Sequence, residues 1–446
     1  MRFIRLPLPV LAVFGLVFLA ALGQAMLYPL VPALAREFEL SPAQAGVLLS
    51  AATFGTLVAA VPAGLLAERI GALRVSIGAG PLLAVAAVVQ ALATSFPVFL
   101  GGQLLFGLAC AAIWTAGVTL LANPTATRSA VGGTVTVGGI AHLVGPPFSG
   151  VLTDAVGRAL PFWLLAGAAA TVTLAATATA TAARAPDPGR DARPGLVAAA
   201  RASASDPVLR SAAVLIALVG ALTGMVPLVV PLLLDRDGFS SSEIGAVLAA
   251  GSVIWVLASG LAVRAGARAV TVGVAGTGLL LLAVAALLPV LALATPCLVA
   301  FVVLRAGIQA TLSTINYDLG AHGARSAGVA VGAAMGLLNL VWAASAATTP
   351  VIAGALVAGG GGPRSVFLLL AFGCAAAGLW MRFSRGVAGG VPAAHAGKAS
   401  RAARHGTRSR ARDGSRSQRA ARRSAWRSSN DPVVSSHWLC STRSRG

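Results

Sequence analysis

One arginine in this chain stands where arginine is hardest to keep. Arg305 lies inside an apolar stretch that begins at Pro296, and a charge at such depth is costly unless it meets water, a partner or a bound molecule. Gln309, Ser313 and Asn316 follow at spacings of four, eight and eleven, so on a helix all share its face as a polar stripe. No aspartate or glutamate stands in the middle of an apolar stretch, which leaves Arg305 without an evident ion partner. Its chemistry is then either to hold an anionic group or to bias the protonation of a titratable neighbour such as His142. His142 also has a plain structural reading, as a lone histidine bonding to carbonyls that nearby prolines leave free.

These side chains need elements that a bilayer tolerates. The chain is 57% hydrophobic and 10% charged, with a mean hydropathy of +0.85, which excludes an ordinary soluble domain. A hydrocarbon core of about 30 Å needs about 20 apolar residues per helix, and twelve such spans fit the sequence. They run Val10 to Ala35, Pro42 to Leu66, Val75 to Ala93, Pro97 to Ala122, Ala130 to Leu152 and Leu160 to Ala182, then Ser211 to Leu234, Glu243 to Val263, Ala269 to Ala292, Pro296 to Asp318, Ala327 to Val357 and Val366 to Phe383. Arg2 and Arg5 before the first span imitate a signal peptide, but the apolar run continues to Ala35, too long for a signal core. Placing both termini in the cytoplasm puts fifteen arginines of the span-bearing region inside and only Arg36, Arg158, Arg236 and Arg364 outside, the bias expected of a multi-pass protein of the cytoplasmic membrane. Cys110, Cys297, Cys374 and Cys440 show no paired spacing, so neither disulfides nor a metal site is expected.

The segment Arg184 to Arg210, with Pro186, Pro188, Pro194 and Pro207, divides six spans from six. The expected organisation is a bundle over 1–183, a cytoplasmic linker over 184–210, a second bundle over 211–385 and a basic tail over 386–446. Echoes between the halves support a duplication. Ser41 with Gln44 before the second span and Ser240 with Glu243 before the eighth both read as capping boxes. Arg128-Ser129-Ala130 and Arg325-Ser326-Ala327 precede spans five and eleven, and Pro29 and Pro32 are matched by Pro227 and Pro231.

Between spans two and three, Gly64, Glu68, Arg69, Gly71 and Arg74 form a charged turn that a positive-inside bias alone does not explain. In span five, Gly145, Pro146 and Gly150 surround a second proline, and the two rings crowd the carbonyls of His142 and Leu143, predicting a kink. The turn resembles the loop between helices two and three of major facilitator superfamily transporters, with glutamate for aspartate and Ala72 where a basic residue is usual. The span-five run is similar to the Gly-Pro motif of the drug/proton antiporter branch, with Ser149 where a second glycine often stands.

The resemblance covers roughly Val10 to Arg385. It implies an all-α membrane protein of twelve transmembrane helices in two pseudo-symmetric six-helix bundles, working by alternating access. It makes Gly64, Glu68, Arg69, Gly71 and Arg74 a conformational latch, with Glu68 set against the positive end of span eleven. It makes His142, Gly145, Pro146 and Gly150 a deformable packing motif. It places the first, fourth, seventh and tenth helices around a central cavity, so that Arg305, Gln309, Asn316, Gln103, Trp114, Gln24 and Tyr28 become candidate substrate contacts. The expected activity is secondary efflux of a small organic molecule in exchange for protons, with uptake or uniport of an organic anion held by Arg305 as the alternative. No cofactor other than a proton gradient is expected, and the protein reads as a monomer. An enzyme is disfavoured, since the chain carries no Gly-x-Ser-x-Gly elbow, phosphate loop or helical His/Glu metal pair.

The tail holds thirteen basic residues against Asp413 and Asp431. It is too poor in apolar groups to fold alone, and contact with anionic lipid headgroups suits its charge. Nucleic acid is not expected, because only Trp426 and Trp438 interrupt the charge.

Overall fold

A computed structural model describes residues 8–121, 129–180, 196–265, 271–329 and 331–383. The tail lies outside this set, as do Arg128 and residues 266–270. Among the described residues the chain is helical, with no strands: α1 (Leu8–Met26), a 3-10 turn (Tyr28–Leu30), α2 (Val31–Glu37), α3 (Pro42–Ile70), α4 (Ala72–Leu92), α5 (Phe96–Leu121), α6 (Ser129–Ala155), α7 (Ala159–Ala180), α8 (Leu196–Ser205), α9 (Pro207–Arg236), α10 (Ser241–Ala265), α11 (Val272–Leu291), α12 (Thr295–Ser326), α13 (Val331–Leu356) and α14 (Gly362–Phe383). In a solvent that offers no hydrogen bonds, a helix is the one open-chain form that satisfies its own backbone.

Ten stretches have the length and apolarity of a span, and the last, Val331–Phe383, holds both α13 and α14. Gly360 and Gly362, at φ 87° and 66°, turn the chain between them. With α6, 27 residues long, this gives the twelve crossings expected, α1 and α2 forming one. In the first half α1 packs on α5, α6 and α7, and α4 on α5 and α7. In the second half α9 packs on α12 and α13, and α11 on α12 and α14. The halves meet where α3 lies along α13 and α6 along α10.

Both capping boxes are present. Gln44 N–H donates to Ser41 Oγ (3.3 Å) and Ser41 N–H to Gln44 Oε1 (2.9 Å), while Glu243 N–H donates to Ser240 Oγ (3.3 Å) and Ser240 N–H to Glu243 Oε2 (2.8 Å). Other expectations need correction. The segment 196–205 is helix rather than broken linker, because an alanine-rich run favours it; Asp206 then accepts from the amides of Val208 (3.0 Å) and Leu209 (2.8 Å) and starts α9. Helix α12 continues to Ser326, so Arg325 ends the tenth span instead of opening the eleventh. The charged turn is shorter than a hairpin. Residues 64–70 finish α3, 72–74 begin α4, and Gly71 alone makes the corner at φ 95°, ψ 138°.

Paired prolines act differently in the two halves. Pro227 and Pro231 sit within a continuous α9, whereas the segment with Pro29 breaks the first span. Leu30 N–H there donates to Leu27 O (3.1 Å), which leaves the Met26 carbonyl without its usual partner. Ser149 Oγ supplies the donor from α6 at 2.8 Å, fully buried. That is a physical reason for serine where glycine is common. Ser149→Ala is expected to strand this carbonyl at a cost of about 1–3 kcal/mol, read as a fall of several degrees in the thermal midpoint of the purified protein; an unchanged midpoint would remove the bond from the account.

Candidate functional site

Between the two ends of the helices lies a small pocket, partly open to solvent. Gln24 of α1, Tyr28 of the adjoining 3-10 turn and Gln103 of α5 face it from the first half, with Thr223 of α9 and Trp342 of α13 from the second. Gln103 is held in place from behind: its Nε2 donates to Gln90 Oε1 (3.3 Å), and Gln90 Nε2 donates to Gly102 O (3.2 Å).

Arg305 joins this pocket through its neighbours. Its Nη1 donates to Gln309 Oε1 (2.7 Å), and Gln309 Nε2 donates to the pocket-lining Thr223 Oγ1 (3.1 Å) and to Val219 O (3.3 Å). Arg305 Nε is buried with no acceptor among the described residues. The Tyr28 ring, in the first half, lies 6.5 Å from the imidazole of His142, tilted by 49°. His142 Nδ1 is 3.0 Å from Gly138 O, an ordinary carbonyl one turn back rather than one freed by proline. The freed carbonyl of His142 accepts instead from Ser252 Oγ of α10 (3.2 Å).

Two candidates are placed elsewhere. Trp114, eleven residues along α5 from Gln103, rests against Gly138 of α6 and does not line the pocket. Asn316 is fully buried two turns beyond Gln309, and neither its amide nitrogen nor its oxygen has a partner among the described residues. Thr223, Ser252 and Trp342 were not singled out in the sequence. Only Ser252 had a signal to follow, because Pro146 implies an acceptor in need of a donor at His142.

The glycines report which end of the assembly is shut. At the end where α3 begins, the Ser41 face, halves touch backbone to backbone. A Cβ on Gly245 would lie 2.5 Å from Pro146 O, and one on Gly354 2.9 Å from Ala43 Cα. Gly46 meets Pro350 O, and Gly150 meets Ser241 O. At the other end, the Gly71 face, Gly260, Gly332 and Gly336 have nothing within 4 Å among the described residues, and Gly64 meets Thr115 of its own half. Among the described residues Arg69 and Arg74 are exposed and make no hydrogen bond; the Glu68 side chain lies outside the described set.

Two helical halves closed at one face around a central pocket are the architecture of a membrane transport protein. The chain belongs to the Major Facilitator Superfamily, whose profile matches residues 13–334, and it has the major facilitator fold. Among solved structures it is similar to a bacterial homologue of the human lysosomal transporter Spinster, in an inward-facing and occupied conformation (16% identity, TM-score 0.68, 84% of this chain and 96% of that one). It is also similar to the human organic anion transporter MFSD10 (19%, 0.62, 84% and 99%) and to the nucleoside transporter NupG (14%, 0.64, 84% and 98%). No curated protein sequence matches it.

Proposed function

We propose that this transporter moves a small organic molecule bearing an anionic group across the cytoplasmic membrane by alternating access, the bundles 1–183 and 211–385 rocking about the central pocket. One observation carries the anionic class: Arg305 stands half-buried beside that pocket, its Nε shut away from solvent without an acceptor and no carboxylate paired with it among the described residues. An unpaired buried charge is costly, and a substrate anion would neutralise it. The glutamines, Thr223 and Trp342 offer hydrogen bonds and an aromatic face to the remainder of the molecule. With both termini cytoplasmic, as the arginine bias favours, the open Gly71 face looks inward. In the opposite state Glu68 would reach the start of α13 and latch that face.

Efflux in exchange for protons is the direction we assign, supported by the span-five motif and by His142 beside the pocket-lining Tyr28. Mid-span carboxylates are absent, so His142 is the titratable group best placed to carry the proton. His142→Ala is expected to flatten the pH dependence of exchange in proteoliposomes while transport at the optimum falls less than tenfold; an unaltered profile would leave the same absence in favour of anion uniport. We assign the basic tail to anionic lipid headgroups at the cytoplasmic surface, and the working unit to a monomer. The decisive experiment is counterflow in proteoliposomes with a panel of organic anions, cations and neutral analogues. Saturable counterflow restricted to anions is the expected result. Non-saturable flux would indicate a channel, and preference for cations would overturn the role of Arg305.

A further inference from the structure

The turn at Gly64 has an unremarked copy on the other face. Gly64-x-Leu66-x-Glu68-x-x-Gly71 is matched by Gly150-x-Leu152-x-Asp154-x-x-Gly157, an acid answering an acid, and Arg158 then stands where the first copy has Ala72. The first copy joins α3 to α4 and the second joins α6 to α7, three spans later, so the two corners lie on opposite faces of the bundle. Gly157 turns at φ 120°, as Gly71 does at 95°, backbone that glycine alone adopts without strain.

In this structure the second copy is engaged. Asp154 accepts from the backbone amides of Ser242 (2.8 Å) and Ser241 (3.2 Å), capping the first turn of α10, a helix of the other half. Gly150 makes room for that approach, since a Cβ there would lie 2.9 Å from Ser242 Cα. Arg158 seats the corner on its own half: it donates to the terminal carbonyls of α4, Ala93 O (2.6 Å) and Gln90 O (3.2 Å), pairs with Glu37, and lies 5.1 Å over the ring of Phe38. An acid at the end of one helix, a glycine one turn before it and the amino end of a facing helix are the parts expected of the first copy when its own face shuts.

We infer that Gly150, Asp154, Gly157 and Arg158 form a second latch, holding the Ser41 face closed, and that the two copies engage in alternation, each stabilising the state in which the other is released. The inference rests on the alternating-access reading above. Its distinctive consequence is opposition: breaking either latch moves the same equilibrium in contrary directions.

The test uses the full chain in lipid nanodiscs, with the four native cysteines replaced by serine and spin labels at Ser95→Cys and Ala358→Cys, one on each half at the Ser41 face. Pulsed electron resonance reads the ratio of open to closed distances there. Asp154→Asn is expected to raise that ratio about fivefold, the equivalent of about 1 kcal/mol for a weakened helix cap. Glu68→Gln should lower it, and the double variant should return it toward the parent value. Arg158→Gln, which leaves the cap atoms in place, should shift it in the same sense as Asp154→Asn and carries the test if that variant folds poorly. An unmoved ratio in both Asp154→Asn and Arg158→Gln, or a shift in the same direction as Glu68→Gln, overturns the second latch while the parent still switches with pH or substrate. A parent protein locked in one distance under every condition overturns alternating access itself, and the latch with it.

Discussion

Arg305→Ala is expected to abolish binding of an anionic substrate, with a loss of at least one to two orders of magnitude in affinity, and to raise the thermal midpoint of the ligand-free protein. The two effects share one cause. The guanidinium has a single hydrogen bond to a side chain, from Nη1 to Gln309, and a buried Nε without an acceptor among the described residues. Charge-assisted hydrogen bonds are worth roughly 1.5–3 kcal/mol, or about 10- to 150-fold in affinity, whereas removing an unpaired buried charge relieves the fold. Arg305→Lys keeps the charge but loses the planar fork, so binding should weaken without vanishing. Ligand-dependent thermal shifts with benzoate-like and phosphate-bearing probes measure both quantities. A lower midpoint with unchanged affinity would make Arg305 a structural residue.

Gly245→Leu and Gly46→Leu are expected to stop transport while leaving substrate binding within a few fold of the parent. At Gly245 a Cβ meets the Pro146 carbonyl oxygen at 2.5 Å and Pro147 Cα at 3.0 Å; at Gly46 it meets the Pro350 carbonyl, and neither obstacle is a side chain free to swing aside. Overpacking costs about 1–3 kcal/mol, about 5- to 150-fold in population, and both positions resist only the state closed at the Ser41 face. The protein should therefore accumulate open at that face. Gly101, with nothing within 4 Å, is the control, and Gly101→Leu should transport normally. Retained exchange in Gly245→Leu would mean that α6 and α10 separate without closing again during the cycle.

The helical plan was legible because membrane spans announce themselves by length and apolarity, and the capping boxes because their residues act locally. The turn at Gly71 was legible as a pattern but misjudged in extent, since nothing in 64–74 shows that seven of its residues would stay in α3 until the glycine forces the corner. Arg305 and Gln309 stood out by cost and spacing, and Gln24, Tyr28 and Gln103 by the resemblance; the last three line the pocket, and the first two adjoin it through Thr223. Trp114 shared a face with Gln103 yet sits three turns away, because helical phase fixes direction and not depth. Asn316 lies off the pocket for the same reason. Thr223 and Trp342 were beyond reach, since hydroxyls and indoles are ordinary in membrane helices and only packing selects those that meet the pocket. The Gly150 copy is short and its acid differs from the first, so its meaning lies in a tertiary contact, Asp154 capping a helix that is not its own.

The Ser252 hydroxyl has a further implication for movement. It leans on the His142 carbonyl, which Pro146 has relieved of any competing amide, and it also reaches the Leu248 carbonyl of its own helix at 3.2 Å. Letting go of the first leaves the hydroxyl satisfied by the second but strands the His142 carbonyl, a cost of about 1–3 kcal/mol. The midpoint between the halves therefore behaves as a catch that resists each parting and rewards each return, while the two rims of the molecule do the gripping.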